Sequence, residues 1–171
     1  MEAASFSTIE RLRDGRETQI RALRPTDRAG LLMALDRSSS ESRYRRFFSP
    51  KRGLTEDEIS YFLNIDFAAH VALVAIEEAG RGAIIGGGRY IVVRPGQAEV
   101  AFFVADHCQG QGIGAALLRH LATIAREAGL REMVAEVLAD NVAMIRVFER
   151  SGLSLSTTRD GGIVQVTLRL H

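Results

Sequence analysis

Residues 99–129, EVAFFVADHCQGQGIGAALLRHLATIAREAG, join a short apolar strand, a glycine-rich turn and a helix in one unbroken run. After Glu99, the stretch EVAFFVA (99–105) is apolar at successive positions, the pattern of a central strand buried on both faces, and it stops at Asp106, His107 and Cys108. QGQGIG (109–114) follows. Ile113, Leu117, Leu121, Ile124 and Ala128 then recur at helical spacing, and Gly129 supplies a C-terminal stop. Glycines therefore stand where a helix begins. That position presents unpaired backbone N–H groups and the positive end of the helix dipole, and residues without a Cβ let an anion come close. The pattern reads as a built-in site for a pyrophosphate.

Length and composition bound the rest. A chain of 171 residues with 46% hydrophobic content fits a single domain, 1–171, able to bury a real core. No apolar run approaches the roughly 20 residues needed to span a bilayer, so no membrane partner is expected. The first residues, MEAASFSTIERLRDGRE, mix acids and bases and lack an apolar signal core, which reads as a cytoplasmic start with a flexible segment over 1–17. A single cysteine allows no internal disulfide, and the histidines show no metal-ligand spacing with it, so no metal is expected. The net charge of +1 lacks the basic excess of a dedicated nucleic-acid binder. Lys51 is the only lysine, which reads as compositional bias.

In chain order, TQIRALR (18–24) suits a first strand, and Pro25 opens a helix with Thr26 and Asp27 in its first turn and Leu31, Leu32 and Leu35 on its apolar face. SSSESRYRRFFSP (38–50) has no clean period and reads as a loop or short helix. Residues 55–64 are a better helix, with Thr55 and Glu58 in capping-box spacing and Ile59, Phe62 and Leu63 facing inward. Three strand-like segments follow at 70–76, 83–93 and 97–105, separated by EEAGRG and RPGQ, turns short enough for an antiparallel meander. After the central helix come a fifth strand at 133–138 and a short helix at 141–150. Two last strands at 155–159 and 163–170 are joined by Asp160, Gly161 and Gly162, a hairpin signal. No repeat or linker marks a domain boundary.

The glycine turn admits two readings. Gly110, Gly112 and Ala115 satisfy the GxGxx(G/A) dinucleotide fingerprint, with Asp140 downstream as a ribose-binding acid. That fingerprint belongs to a doubly wound sheet of repeated crossovers, whereas here the preceding strand closes a meander and the chain finishes in a hairpin. The second reading explains more. Gln109, Gly112 and Gly114 form QxxGxG, and Asn141, Met144, Phe148 and the SGL at 151–153 resemble the second helix of the GCN5-related N-acetyltransferase (GNAT) superfamily, whose element pattern covers residues 18–170. The segments IRALRPTD, ESRYRRFFSP, NIDFAAHVALVA and AEVLADNVAMIRVF are similar to the acetyltransferase domain of bacterial protein lysine acetyltransferases. That domain is often fused to an acyl-CoA synthetase-like or cyclic-nucleotide-binding domain, and this chain has room for neither.

The resemblance implies a mixed, mostly antiparallel α/β (α+β) sheet of about seven strands flanked by helices. Its fourth and fifth strands splay apart, and the pantetheine arm of acetyl-CoA lies in the gap like another strand. Phe103, Val104 and Ala105 match the strand end beside that arm. Backbone N–H groups of Gln109, Gly110, Gln111, Gly112, Ile113, Gly114 and Ala115 would hold the pyrophosphate, and Asn141 would reach the cofactor from the next helix; Asn141 equally suits a plain N-cap. Phe148 stands where many GNAT enzymes carry a tyrosine that protonates the departing CoA thiolate. Phenylalanine cannot donate a proton, so it is expected to pack against pantetheine or the core, and a thiol with an ordinary pKa near about 8.5 can leave without that help.

Glu99 is the expected catalytic base. Acyl transfer needs an uncharged amine, a lysine side chain titrates near about 10.4, and a carboxylate partly buried in the cleft would take the proton. The alternative is a glutamate solvated at a strand start, and Glu136, on a face with Val134 and Leu138, is the reserve. His107 and Cys108 are expected as exposed loop residues. Arg43, Arg45 and Arg46, interleaved with Tyr44, Phe47 and Phe48, form one wall of the acceptor cleft or simply a solvated face over packed aromatics. The expected activity is direct acetyl transfer from acetyl-CoA to a primary amine, a lysine on a protein such as an AMP-forming acyl-CoA synthetase. The alternatives are a small-molecule amine or amino acid as acceptor, or a non-catalytic acyl-CoA-binding sensor.

Overall fold

The computed structural model describes residues 2–37, 54–78 and 82–171. Among these the strands are β1 (Ser7–Arg11), β2 (Glu17–Ala22), β3 (His70–Glu77), β4 (Ile84–Arg94), β5 (Gln97–Val104), β6 (Glu132–Leu138), β7 (Ser154–Asp160) and β8 (Ile163–Arg169). The helices are α1 (Arg28–Asp36), α2 (Glu56–Leu63), α3 (Ile113–Glu127) and α4 (Val142–Glu149). The strands form one sheet of order β1-β2-β3-β4-β5-β6-β8-β7. Every neighbouring pair is antiparallel except β5 and β6, which are joined through α3 as a parallel crossover. The expected meander and terminal hairpin are both present, with β8 lying between β6 and β7.

Period-two alternation gives the two faces of this sheet different partners. Ala98, Val100 and Phe102 of β5 are buried with Leu117 and Leu121 of α3 and Phe148 of α4. The opposite face carries Glu99, Ala101 and Phe103, and Phe103 packs with Ala72 and Val74 of the sheet and with Leu31 and Leu63 of the N-terminal helices. Burial on both faces therefore holds toward the end of β5 but not at its start, where Glu99 is exposed. Gly88 lets β4 pass close beneath α3: a Cβ there would lie 2.8 Å from the Phe102 ring and 3.0 Å from a Leu121 methyl. A larger side chain would overpack the main core.

The N-terminal segment differs from the expectation. Residues 7–11 are not flexible but form an eighth strand, paired to β2 from Ser7–Arg21 to Arg11–Glu17. Glu10 pins that strand across the core, accepting from Arg119 and meeting His120 Nε2, each at 2.6 Å, while Phe6 packs on the His120 ring at 5.1 Å. The signal was Asp14-Gly15 between two alternating stretches, a hairpin pattern that the mixed charge of the segment obscured. Residues 38–53, which include Arg43, Tyr44, Arg45, Arg46, Phe47 and Phe48, lie outside the described residues.

The α1 and α2 layer is tied down by caps. Thr55 and Glu58 form the expected capping box, with reciprocal bonds of 3.2 and 2.8 Å. Pro25–Asp27 is a 3₁₀ turn, so α1 starts at Arg28, later than the proline suggests. Asp27 is buried there, receiving both Arg21 guanidinium nitrogens at 2.8 Å and the Arg24 N–H at 2.7 Å. Burial raises its carboxyl, but the Arg21 and Arg24 hydrogen bonds and charges outweigh that and hold it below the usual carboxylate value. Because folding lowers this pKa, its stabilisation is complete above the unfolded value and is lost as pH falls through the folded one. Asp27→Ala should cost about 3 kcal/mol at neutral pH, the scale of leaving a buried arginine unpaired. Urea unfolding of both proteins measures this, and the difference should shrink below about pH 3.9.

Candidate active site

Strands β5 and β6 pair at Gln97–Glu132, Ala98–Met133 and Glu99–Val134, and the pairing goes no further. On its other side β5 stays paired to β4 as far as Val104. The Ala105 N–H donates to Ile85 O at 2.8 Å, so by the alternation of an antiparallel pair the N–H and C=O groups of Phe102 and Val104 face the gap, where the Val104 carbonyl accepts Gln109 Nε2 at 3.2 Å. A cleft of about 570 Å³ opens there, lined by Glu99 and the end of β5, by the turn and first residues of α3, and by Glu136, Asn141, Met144, Val147 and Phe148.

The turn brings its donors to this cleft. Gly110 (φ 78°) and Gly112 (φ 96°) occupy the left-handed region, and a Cβ on either would project into open space. Glycine is used here for backbone conformation and for leaving the amides uncovered. The first helical bond is Ala116 N–H to Gly112 O at 3.0 Å, and among the described residues the N–H groups of 110–115 donate no hydrogen bond. Orphan donors at the start of a long helix suit a diphosphate. Gln111 faces the other way: its carbonyl accepts the Arg13 N–H and its Oε1 the Asp14 N–H, both at 3.1 Å.

Phe103, Val104, Gln109, Gly110, Gly112, Ile113, Gly114, Ala115, Asn141 and Phe148 all line the cleft, whereas Ala105 and Gln111 do not. Asn141 is an N-cap, its Oδ1 accepting Met144 N–H at 3.3 Å, and it borders the cleft as well. Phe148 is 1% exposed and packs its ring 6.0 Å from that of Phe102, so it belongs to the core as much as to the cleft. Two expectations are corrected. Glu99 is exposed rather than partly buried, because β6 runs beside it only as far as Val134. Cys108 is fully buried rather than exposed in the loop, and burial pushes its thiol pKa up, which makes it an inert packing residue.

The sheet also gathers groups that lie far apart in sequence. Glu136 shares the face of Glu99 on the neighbouring strand, lines the same cleft, and like Glu99 has no ion pair among the described residues. Arg13, Arg146 and Arg150 line the cleft too. Arg146 and Arg150 sit in or just beyond the second helix, but nothing in the local pattern distinguishes them from solvated arginines. On the Glu99 face of β4, Arg89 stacks over the Phe62 ring at 4.5 Å and donates to Phe62 O at 3.1 Å and to His70 Nε2 at 3.0 Å.

That last bond requires a neutral His70. Burial lowers its pKa to about 4, and the charge of Arg89 adds to the effect against a smaller opposing contribution from Asp66. Because the unfolded imidazole binds its proton first, stability from this site should fall as pH drops from about 6.5 toward 4. An NMR titration of the His70 ring should show a midpoint near 4. A midpoint near the ordinary imidazole value would mean that Arg89 does not donate to it.

Known proteins are similar to this chain in sequence and fold. Residues 38–153 match the model of the acetyltransferase (GNAT) family. The GNAT domain of S. lividans PAT superposes with a TM-score of 0.87 at 34% identity, covering 95% of this chain and 96% of that one. An acetyltransferase of Pseudomonas aeruginosa is 36% identical over 138 residues, 80% of this chain and 74% of that protein. Acetyltransferase Pat of Mycolicibacterium smegmatis is 37% identical over 160 residues, 90% of this chain, which spans 46% of Pat. The family match runs through the meander, the splayed strands, the glycine turn and both helices that follow it, and the chain is a member of the acetyltransferase (GNAT) family.

Proposed function

We propose that the chain transfers an acetyl group from acetyl-CoA to the side chain of a lysine on a folded protein, with Glu99 as general base. One observation carries this reading: the uncovered amides of Gly110 and of 112–115, the edge of β5 that β6 leaves, and the Glu99 carboxylate meet in a single cleft. A structure related in fold, yncA of Salmonella typhimurium, contains acetyl-CoA, with a TM-score of 0.72 at 20% identity. The resemblance of the quoted segments to lysine acetyltransferase domains, and the similarity to Pat, support a protein acceptor.

Acetyl-CoA supplies the acetyl group already activated as a thioester. The amides of 110–115 take its diphosphate, and the edge of β5 that β6 leaves takes the pantetheine arm as a strand would. The Val104 N–H, facing the gap, is placed to polarise the thioester carbonyl and to stabilise negative charge as it develops there. Glu99 accepts the proton that the lysine amine must lose, and its exposure admits a water molecule as relay. Asn141 spends its Oδ1 on the helix cap and keeps its amide hydrogens for the cofactor. Phe148 offers no acid, so the CoA thiolate leaves without a proton from this position.

Glu99→Gln should leave acetyl-CoA affinity nearly unchanged and lower turnover by about 100-fold or more, the range for losing a general base. Unchanged turnover would remove Glu99 from the mechanism and move the role to Glu136. Gly112→Leu should abolish acetyl-CoA binding in calorimetry while the domain stays folded, since the new side chain projects from the open turn into the anion's place. The acceptor is tested by incubating the protein with acetyl-CoA and a cell extract and, separately, with a panel of amines and amino acids. Acetylation of a specific lysine, lost in Glu99→Gln, is the expected result. Turnover of a free amine without protein labelling would assign a small-molecule acceptor instead, and binding without any turnover would leave a sensor.

A further inference from the structure

The turn between β1 and β2 is seated on the back of the glycine turn, across 97 positions of sequence. The Arg13 N–H donates to Gln111 O at 3.1 Å, the Asp14 N–H to Gln111 Oε1 at 3.1 Å, and Arg13 Nη1 to Gly110 O at 3.2 Å. The seat is firm. Leu12 is buried, its N–H bonds to Arg16 O at 2.8 Å, and Gly15 N–H closes on Leu12 O at 3.0 Å. Arg13 is thereby held at the rim of the cleft, and it is one of the cleft's lining residues.

Among the described residues it makes no ion pair. Asp14 is taken by Arg16 at 2.7 Å, Glu77 by Arg16 at 3.1 Å, Glu10 by Arg119 and His120 at 2.6 Å, and Glu17 by Arg11 at 3.6 Å. Asp14 and Glu77 share Arg16, Glu10 and Glu17 pair with other cations, and among the described residues no carboxylate bonds to Arg13. Only one of its five guanidinium donors is committed, to a carbonyl of the turn itself. A guanidinium with most of its donors uncommitted, fixed beside orphan amides, is an arrangement for charge-assisted bonds to a phosphate.

We propose that Arg13 binds the diphosphate of the acyl-CoA directly, so that the N-terminal hairpin forms a second jaw of the phosphate site. This rests on the assignment of residues 110–115 to the diphosphate. It adds a residue that reaches the site from outside the strand, turn and helix that carry the glycines. Phosphate recognition then depends on the hairpin being docked.

Isothermal calorimetry of the full chain tests this with three ligands: acetyl-CoA, acetyl-3′-dephospho-CoA and S-acetylpantetheine. Arg13→Gln should weaken both nucleotide ligands by the same factor, roughly 10-fold or more for one charge-assisted contact, and leave S-acetylpantetheine unchanged. Arg13→Lys, which keeps the charge but not the fork, should recover part of the loss. A loss confined to acetyl-CoA would place Arg13 on the 3′-phosphate and overturn the diphosphate assignment. An equal loss for S-acetylpantetheine would show a distorted cleft and overturn the direct contact, as would unaltered affinity for all three. If the parent protein binds acetyl-CoA but Gly112→Leu does too, the underlying site is misplaced, a failure distinct from an inert Arg13.

Discussion

The short parallel pairing of β5 with β6 is the constraint from which the cleft follows. Pairing that stopped earlier would leave β6 poorly registered, and pairing that continued to Val104 would fill the gap with protein backbone. The strands are held together at Gln97–Glu99 and allowed to part where β5 turns toward α3, while β4 continues to support β5 on its other edge. An open strand edge is normally a liability in water and in contact with other chains. Here it is recessed between the sheet and α4, where only a ligand able to satisfy backbone donors and acceptors gains from reaching it.

Charge is arranged to match that shape. Glu99 and Glu136, which make no ion pair among the described residues, stand near the last paired residues, while arginines from the β1–β2 turn and from the end of α4 line the same space. Two glutamates on one sheet face repel each other in a closed site; exposure to solvent lowers that cost. The same exposure keeps that side of the cleft accessible.

The parts of this protein that sequence reveals are those written over short spans. The glycine turn, the helix after it, the meander turns, the capping box at Thr55 and the closing hairpin each depend on residues within a few positions of one another, and each was legible. Cys108 was misread because its position beside a glycine turn implies exposure, while its burial is decided by the packing of the main core. The strand at 7–11 was missed because its alternation is diluted by charges that are satisfied elsewhere, Glu10 by Arg119 and His120 on α3. Arg13, Arg146 and Arg150 carry no local mark. Their placement exists only once distant elements are docked.

The contact between Arg13 and Gly110 also bears on how the protein reaches its working state. Closing a chain segment of 97 residues is an entropic cost that no local turn preference offsets, and contacts of such separation slow the folding of sheet proteins. The glycine turn can bend as soon as its own residues are present, but its carbonyls are held from behind only after the hairpin has paired with β3 and docked. With Arg13 in the role proposed for it, coenzyme affinity reports completion of the whole topology, and a partly folded chain with an intact turn competes poorly for acyl-CoA.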